Sequence, residues 1–289
     1  MNFHSSSIPL LLAVALAAGC IDRAKPRQDV TATSLAEAES LRSTATFLDL
    51  SKDTAMTAFP VDLGSYPALR RVSVRGQKTA ADVPESVSEA KGLVELDLAG
   101  TGLRDLPGSL VALTSLRHLY LSDNGLTAVP GVVSKLSSLD YLNLDRNKLS
   151  ALPADIGALT GLKWVRLNSN ALTDLPESCA DWKSIRRLYL RGNSLTALPP
   201  VILKMTSLEE LDLGENKLTE IPDELCKLPN LHRIDLDGNA GLTALPPSMN
   251  AKDMPQLSHL FVFRCGLPTN EIDRVRAAYP DPVRNFIAF

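Results

Sequence analysis

The chain has 289 residues, of which 45% are hydrophobic and 22% charged, and these proportions are ordinary for a folded protein. The formal net charge of −3 gives no electrostatic reason to expect nucleic-acid binding. Aromatic residues make up only 5%, so aliphatic side chains must fill most of the core. The four cysteines form no Cys-x-x-Cys pair and have no histidine cluster beside them, which argues against a zinc site. We expect no metal and no cofactor.

The first segment is an apolar run over residues 8–19 that ends in small residues directly before Cys20. Because a membrane-spanning helix needs about 20 apolar residues, this run is too short to span, but it suits the core of an export signal. The segment resembles the lipobox of bacterial lipoproteins, although Ala17 stands where leucine is usual and no Lys or Arg precedes the run. The resemblance implies a signal peptide over residues 1–19, lipid on Cys20 and, since Ile21 follows, the outer membrane. An ordinary secretory signal is the alternative.

The next segments lead into the main body of the chain. Residues 20–33 are polar and are interpreted as the lipid-attachment site and a tether. Ser34 and Glu37 have the spacing of a helix-capping box, and apolar residues follow at helical spacing. We therefore predict a helical cap over residues 34–44 at the N-terminal end of the structure that follows.

From residue 45 onwards the chain repeats itself at nearly constant intervals. The middle apolar residues of successive units are separated by 24, 24, 23, 23, 23, 23, 23, 23 and 26 residues. Those residues are Leu48, Val72, Leu96, Leu119, Leu142, Val165, Leu188, Leu211, Ile234 and Leu260. Ten such units occupy residues 45–267, and each can bury its apolar face only by stacking on its neighbours.

The clearest unit, residues 139–161, reads L-x-x-L-x-L-x-x-N-x-L-x-x-L-P-x-x-I-x-x-L. This pattern resembles the leucine-rich-repeat family, and its proline-bearing half is similar to the Ras-group-related and disease-resistance-type repeats. The resemblance implies an α/β solenoid: a horseshoe with a parallel sheet on its concave side, short helical or 3-10 segments on its convex side and a cap at each end. We expect a monomer.

Each position of the repeat has a physical role. Leu142 and Leu144 alternate with polar residues, which predicts a short strand with both leucines pointing inward. An asparagine follows each strand of the central units, and its amide can satisfy backbone groups of neighbouring turns. The proline suits the first position of a 3-10 turn, and an apolar residue three places later is expected in the core.

The ends of the array depart from this pattern. Other residues replace the asparagine in the terminal units, so we expect a weaker ladder there; they are Asp53, Gln77, Thr101 and Cys265. Residues 268–289 are predicted to form a C-terminal cap that begins with a helix over residues 269–278. Three extra residues between Asn239 and Leu257 predict a bulge on the convex side.

The cysteines of the repeats have different expected environments. Cys179 occupies an inward position and Cys265 an asparagine position, so both are interpreted as core residues. Cys226 aligns with Gly157 and is expected to be less buried. A disulfide between Cys226 and Cys265 is left open, because an oxidising envelope would permit one.

The candidate binding residues lie at the solvent-facing strand positions of units four to seven. Although aromatic residues are scarce, they concentrate here, and two arginines accompany them: the set is His118, Tyr120, Tyr141, Trp164, Arg166, Arg187 and Tyr189. Exposed Tyr, Trp and Arg side chains are enriched at binding hot spots. The alternative is that these bulky residues only pack on each other across the sheet.

No catalytic constellation accompanies these residues. His118 has no serine or cysteine placed as a nucleophile, and the chain has no glycine-rich phosphate loop. The sequence therefore predicts a non-enzymatic module in the cell envelope that binds a protein partner on its concave face. A glycan- or peptidoglycan-binding or purely structural envelope component is the alternative.

Overall fold

The computed structural model describes residues 29–279 and the strand Phe286–Ala288, and its strands form one sheet in chain order. Each strand pairs in parallel with the next one along the chain. The strands are Thr31–Ala32 (β1), Phe47–Asp49 (β2), Arg71–Ser73 (β3), Glu95–Asp97 (β4), His118–Tyr120 (β5), Tyr141–Asn143 (β6), Trp164–Arg166 (β7), Arg187–Tyr189 (β8), Glu210–Asp212 (β9), Arg233–Asp235 (β10), His259–Phe261 (β11) and Phe286–Ala288 (β12). This confirms the predicted parallel sheet.

The strand register follows the sequence alignment of the repeats. Each middle residue of β2 to β11 lies opposite the middle residue of the next strand, as Leu142 lies opposite Val165. All ten middle residues are at most 1% exposed. A slip of one residue would turn every leucine of a strand outward, so the buried face enforces this register.

The opposite side of the first eight repeats is built from short 3-10 helices. They span Leu63–Ser65, Lys78–Ala80, Glu85–Glu89, Gly108–Ala112, Val133–Lys135, Ile156–Ala158, Glu177–Asp181, Pro200–Lys204 and Asp223–Lys227. Prolines such as Pro107 and Pro176 are the N-cap residues of these helices. The sequence pattern predicts the proline one residue later, at the first position of the 3-10 turn. The residue three places after the proline is fully buried, as Leu110 and Cys179 show.

A ladder of asparagine side chains connects successive turns. The Asn147 amide nitrogen donates to the carbonyl oxygens of Leu121 and Leu144, at 3.0 and 2.9 Å, and its amide oxygen accepts from Leu126 N at 3.0 Å. The same bridging pattern recurs at Asn124, Asn170, Asn193, Asn216 and Asn239. At the C-terminal end Cys265 makes one such contact, from its sulfur to Leu236 O. The ladder therefore weakens towards this end.

The N-terminal end is covered by a short helix and an added strand. Helix α1 spans Leu35–Ser40, and the Ser34 hydroxyl caps it by accepting from Glu37 N. The capping box is incomplete, because the Glu37 carboxylate accepts from Thr33 N instead of the backbone N–H of Ser34. Strand β1 lies within the segment interpreted as a tether. The chain therefore joins the sheet earlier than the sequence pattern indicated.

The C-terminal end is closed by helix α2, Thr269–Ala278, and by β12. The Glu271 carboxylate accepts from Leu245 N, while Arg274 pairs with Glu271 at 2.7 Å and donates to the carbonyl oxygen of Pro246. These bonds attach the helix to the ninth repeat. The inserted residues form turns in place of a 3-10 helix, on the side where the bulge was predicted.

The prediction for Cys226 is wrong, because its side chain is only 3% exposed. The aligned Gly157 is itself buried: a Cβ atom there would lie 2.1 Å from the carbonyl oxygen of Ser178. That position faces the neighbouring repeat and not solvent. Cys179, Cys226 and Cys265 are all free thiols. Cys20 lies outside the described residues.

Candidate binding surface

The aromatic residues of β5 to β8 form a continuous band across four adjacent strands. Tyr141 lies between Tyr120 and Trp164, with ring centroids 4.9 and 5.1 Å away. His118 contacts Tyr141 at 6.0 Å, and Tyr189 contacts Trp164 at 6.0 Å. All five side chains are partly exposed. The structure therefore brings the predicted aromatic residues together, in contact with one another and with solvent.

Two arginines complete the band and alternate with aromatic rings. Strand β7 carries Trp164 and Arg166, and they lie directly opposite Arg187 and Tyr189 of β8. The Arg187 guanidinium carbon lies 5.0 Å from the Trp164 ring centroid, and that of Arg166 lies 5.6 Å from the Tyr189 ring centroid. Such cation–π contacts stabilise both partners. We call these four residues the Arg–aromatic block.

Carboxylates on the flanking repeats hold the Arg–aromatic block in place. Arg166 donates from Nε to Asp145 at 2.7 Å, and the Asp145 side chain is only 1% exposed. On the other side, Glu210 accepts from the Tyr189 hydroxyl at 2.9 Å and pairs with Arg187 Nε at 3.0 Å. Each guanidinium is therefore fixed by one acid and one ring, and little side-chain entropy remains to be lost on binding.

His118 carries a positive charge at the N-terminal end of the band. Its Nδ1 lies 3.3 Å from Glu95 Oε2, and its Nε2 lies 3.3 Å from Asp140 Oδ1. Hydrogen bonds to Asp140 and Glu95 raise the pKa of His118 to about 9. An imidazolium held between two carboxylates has no basic nitrogen left, so it cannot act as a general base at neutral pH.

Burial also keeps the phenols of the band neutral. It raises the pKa of Tyr141 to about 12 and shifts the pKa of Tyr120 and Tyr189 upward as well. These hydroxyls are therefore hydrogen-bonding groups and not nucleophiles at neutral pH. The chemistry of the band is suited to contact and hydrogen bonding.

The remaining cations of this region pair with acids on adjacent strands. Arg186 lies 3.3 Å from Glu209, and Lys163 lies 3.5 Å from Asp140. Lys163, Arg186 and Glu209 line a lateral groove of about 450 Å³ at the N-terminal ends of the strands. Exposed pairs of this kind contribute little net free energy.

Sequence reasoning did not find every residue of the surface. It did not identify Asp145 or Glu95, whose roles depend on contacts with the neighbouring repeat. It also gave no weight to Phe263, which follows β11 and is 54% exposed. Among the described residues no group of acids, cysteines and histidines could hold a metal ion, and no helix there could cross a membrane.

Comparisons with known families agree with the repeat pattern. A leucine rich repeat model matches residues 91–149, and a leucine-rich repeat region model matches residues 131–240. Together they cover more than half of the chain, which is a leucine-rich-repeat protein. Proteins with this fold commonly bind protein partners, and the fold is typically a non-enzymatic scaffold. No curated protein matches the chain.

Solved structures support the same assignment. A leucine-rich-repeat protein of Leptospira interrogans is 25% identical, with a TM-score of 0.67 over 89% of this chain and 75% of that one. The leucine-rich repeat domain of the type III effector XopL is 26% identical, with a TM-score of 0.59 over 72% of this chain and 73% of that one. A chain of the Drosophila Toll–Spatzle complex, 22% identical with a TM-score of 0.66, matches over 83% of this chain and 32% of its own length, and shows the fold alone.

Proposed function

We propose that this chain is a non-enzymatic binding protein of the bacterial cell envelope that captures a protein partner on its concave face. Lipid on Cys20 would anchor it, and the outer membrane is the proposed location. The partner-binding residues are those of the aromatic band with its two arginines. The observation that carries the proposal is that partly exposed rings run without interruption across β5 to β8, in a chain that is only 5% aromatic.

The fixed geometry of the band supports binding over simple packing of one ring on another. Packing alone would not require Arg166 and Arg187 to be held over rings by acids from two further repeats. Such a surface resembles the pre-ordered aromatic and arginine anchors on which most interface free energy depends.

The ring orientations favour a protein over a glycan. Carbohydrate stacking needs ring faces that lie open to solvent, but the Trp164 and Tyr141 planes meet at 89° and the Trp164 and Tyr189 planes at 72°. One face of Trp164 is covered by Arg187. A mixed surface of edges, faces and guanidinium groups suits varied side chains better than a repeating sugar.

Photocrosslinking in cells tests the proposal. A photoreactive residue at position 164 should give one dominant protein adduct, identified by mass spectrometry. The variant Trp164→Ala with Tyr189→Ala should lose capture of that protein while its secondary structure is retained. A matched control is Val111→Ala, an exposed apolar residue on the 3-10 side.

Two results would contradict the binding proposal. If the double variant captured the same protein as well as the wild-type chain does, the concave face would not be the binding surface. Retention on purified peptidoglycan, with only scattered protein adducts, would favour the glycan-binding alternative instead.

The anchor is tested separately, by metabolic labelling with palmitate. The wild-type chain should be labelled and should fractionate with membranes, whereas Cys20→Ser should be unlabelled and released. An unlabelled wild-type chain would refute lipidation and leave an ordinary secretory signal.

A further inference from the structure

We infer that the Arg–aromatic block recognises a carboxylate side chain of the partner, presented beside an apolar side chain. This inference rests on the proposed function and specifies the chemistry of the partner: an acidic peptide segment laid across β7 and β8. Arg166 and Arg187 occupy one diagonal of the block, and the rings of Trp164 and Tyr189 occupy the other.

Each arginine still has hydrogen-bond donors to offer. The contacts of Arg187 with other described residues use its Nε, which pairs with Glu210, and one face, which covers Trp164. Arg166 uses Nε and Nη2 on Asp145 and one face on Tyr189. The outer edge of each guanidinium therefore keeps N–H groups for a further acceptor.

The distribution of charge on the sheet favours an anion at this place. Between residues 163 and 168 and between residues 186 and 191, every charged side chain is a cation: Lys163, Arg166, Arg186, Arg187 and Arg191. The acids that pair with them lie on the flanking repeats and, for Asp235, one repeat further on; they are Asp140, Asp145, Glu209, Glu210, Asp212, Glu215 and Asp235. A partner carboxylate over the block meets cations at its centre and negative charge only on both sides.

The rings determine what must accompany the carboxylate. Trp164 and Tyr189 lie beside the two guanidinium groups, so an apolar side chain next to the acid can contact a ring while the carboxylate reaches the N–H groups. Charge-assisted hydrogen bonds to arginine are short and directional. A lone small anion would use the donors and leave the aromatic surface uncovered.

Selection from a random peptide library displayed on phage tests this inference with the full chain, purified in detergent. Peptides captured by the wild-type chain should be enriched in Asp or Glu next to an aromatic or aliphatic residue. Synthetic versions of the enriched peptides should lose about tenfold or more in affinity when their acid is changed to the amide, the loss expected for a hydrogen-bonded charge.

Variants of the chain connect that preference to the two arginines. Arg187→Gln should reduce affinity by a similar factor, and so should Arg166→Gln. Loss of Arg166 leaves the buried Asp145 carboxylate without its cation. The paired variants Arg166→Gln with Asp145→Asn, and Arg187→Gln with Glu210→Gln, therefore remove each cation together with its acid. The control is Arg117→Gln, an exposed arginine outside the block that donates to Ser138 O.

The outcomes separate this inference from the proposed function. Peptides that need Trp164 and Tyr189 but show no acidic preference, or that bind the arginine variants unchanged, would overturn the carboxylate inference and leave concave-face binding intact. If no peptide depends on the concave residues, both fail. Binding of a uronic-acid polysaccharide in place of any peptide would overturn the peptide assignment. Acidic peptides that need both arginines and tolerate Arg117→Gln would establish it.

Discussion

Replacing Asn147 by alanine tests whether the asparagine ladder holds the solenoid together. The Asn147 amide oxygen accepts from Leu126 N and from Asn124 N, and both donors lose this acceptor in the variant. The carbonyl oxygens of Leu121 and Leu144 each keep a second donor, from the amides of Asn124 and Asn170. A buried polar group that loses its partner costs about 1–3 kcal/mol. With two such donors and partial relaxation of their surroundings, Asn147→Ala should lower the free energy of unfolding by about 2–4 kcal/mol.

Urea denaturation followed by circular dichroism measures this loss, and hydrogen exchange locates it. The amide of Leu126 should exchange much faster in the variant, because its acceptor is gone. The matched control is Asn230→Ala, which removes a single exposed hydrogen bond to Thr206 O and should cost less than about 1 kcal/mol. Equal costs for the two variants would show that the ladder is incidental to stability.

Three further predictions concern the backbone, one charge and the thiols. Ser169 and Gly192 occupy equivalent left-handed backbone positions, with φ of 56° and 68°. In thermal unfolding, Ser169→Gly should therefore stabilise the protein by about 0.5 kcal/mol and Gly192→Ala should destabilise it by about 1 kcal/mol. The opposite signs would contradict this account of the turn. The pKa of His118 is raised from 6.5 to about 9, so its stabilising contribution should be complete below pH 6.5 and lost as pH rises through 9. NMR titration should find the raised pKa, and in His118→Gln the thermal midpoint should change less with pH between pH 7 and 9. Because burial raises the pKa of Cys226 to about 12, a thiol reagent should label Cys265 before Cys226 in the folded chain, and the reverse order would refute the burial of Cys226.

The sequence predicted which residues share the candidate surface, but it did not predict how their side chains are oriented. Alternation along each short strand shows that Tyr141 and Trp164 share the solvent-facing side of the sheet, and the repeat spacing makes them neighbours. The perpendicular packing of their rings depends on side-chain torsions that no residue pattern specifies. The choice between a protein and a sugar partner rests on those angles, so it required the structure.

Contacts between repeats also decided the charges of the site. Asp145 follows β6, and only stacking brings its carboxylate to Arg166, which lies 21 residues later. In the same way, the raised pKa of His118 arises from one acid on the preceding repeat and one on the next. Such pairs are difficult to predict from the sequence, because the stacking of the repeats determines the distance between the two side chains.

The repeat period, the inward leucines and the bridging asparagines determined the parallel sheet and its register by themselves, because local periodicity fixes which face of each coil is apolar and stacking is then the way to bury it. Only the tertiary structure decided how the two ends of the repeat array are closed and which residues between the repeats are buried. Strand β1, the attachment of α2 through Glu271 and Arg274, and the burial of Cys226 all depend on contacts between segments of unlike sequence. Such contacts carry no periodic signal, since each occurs once.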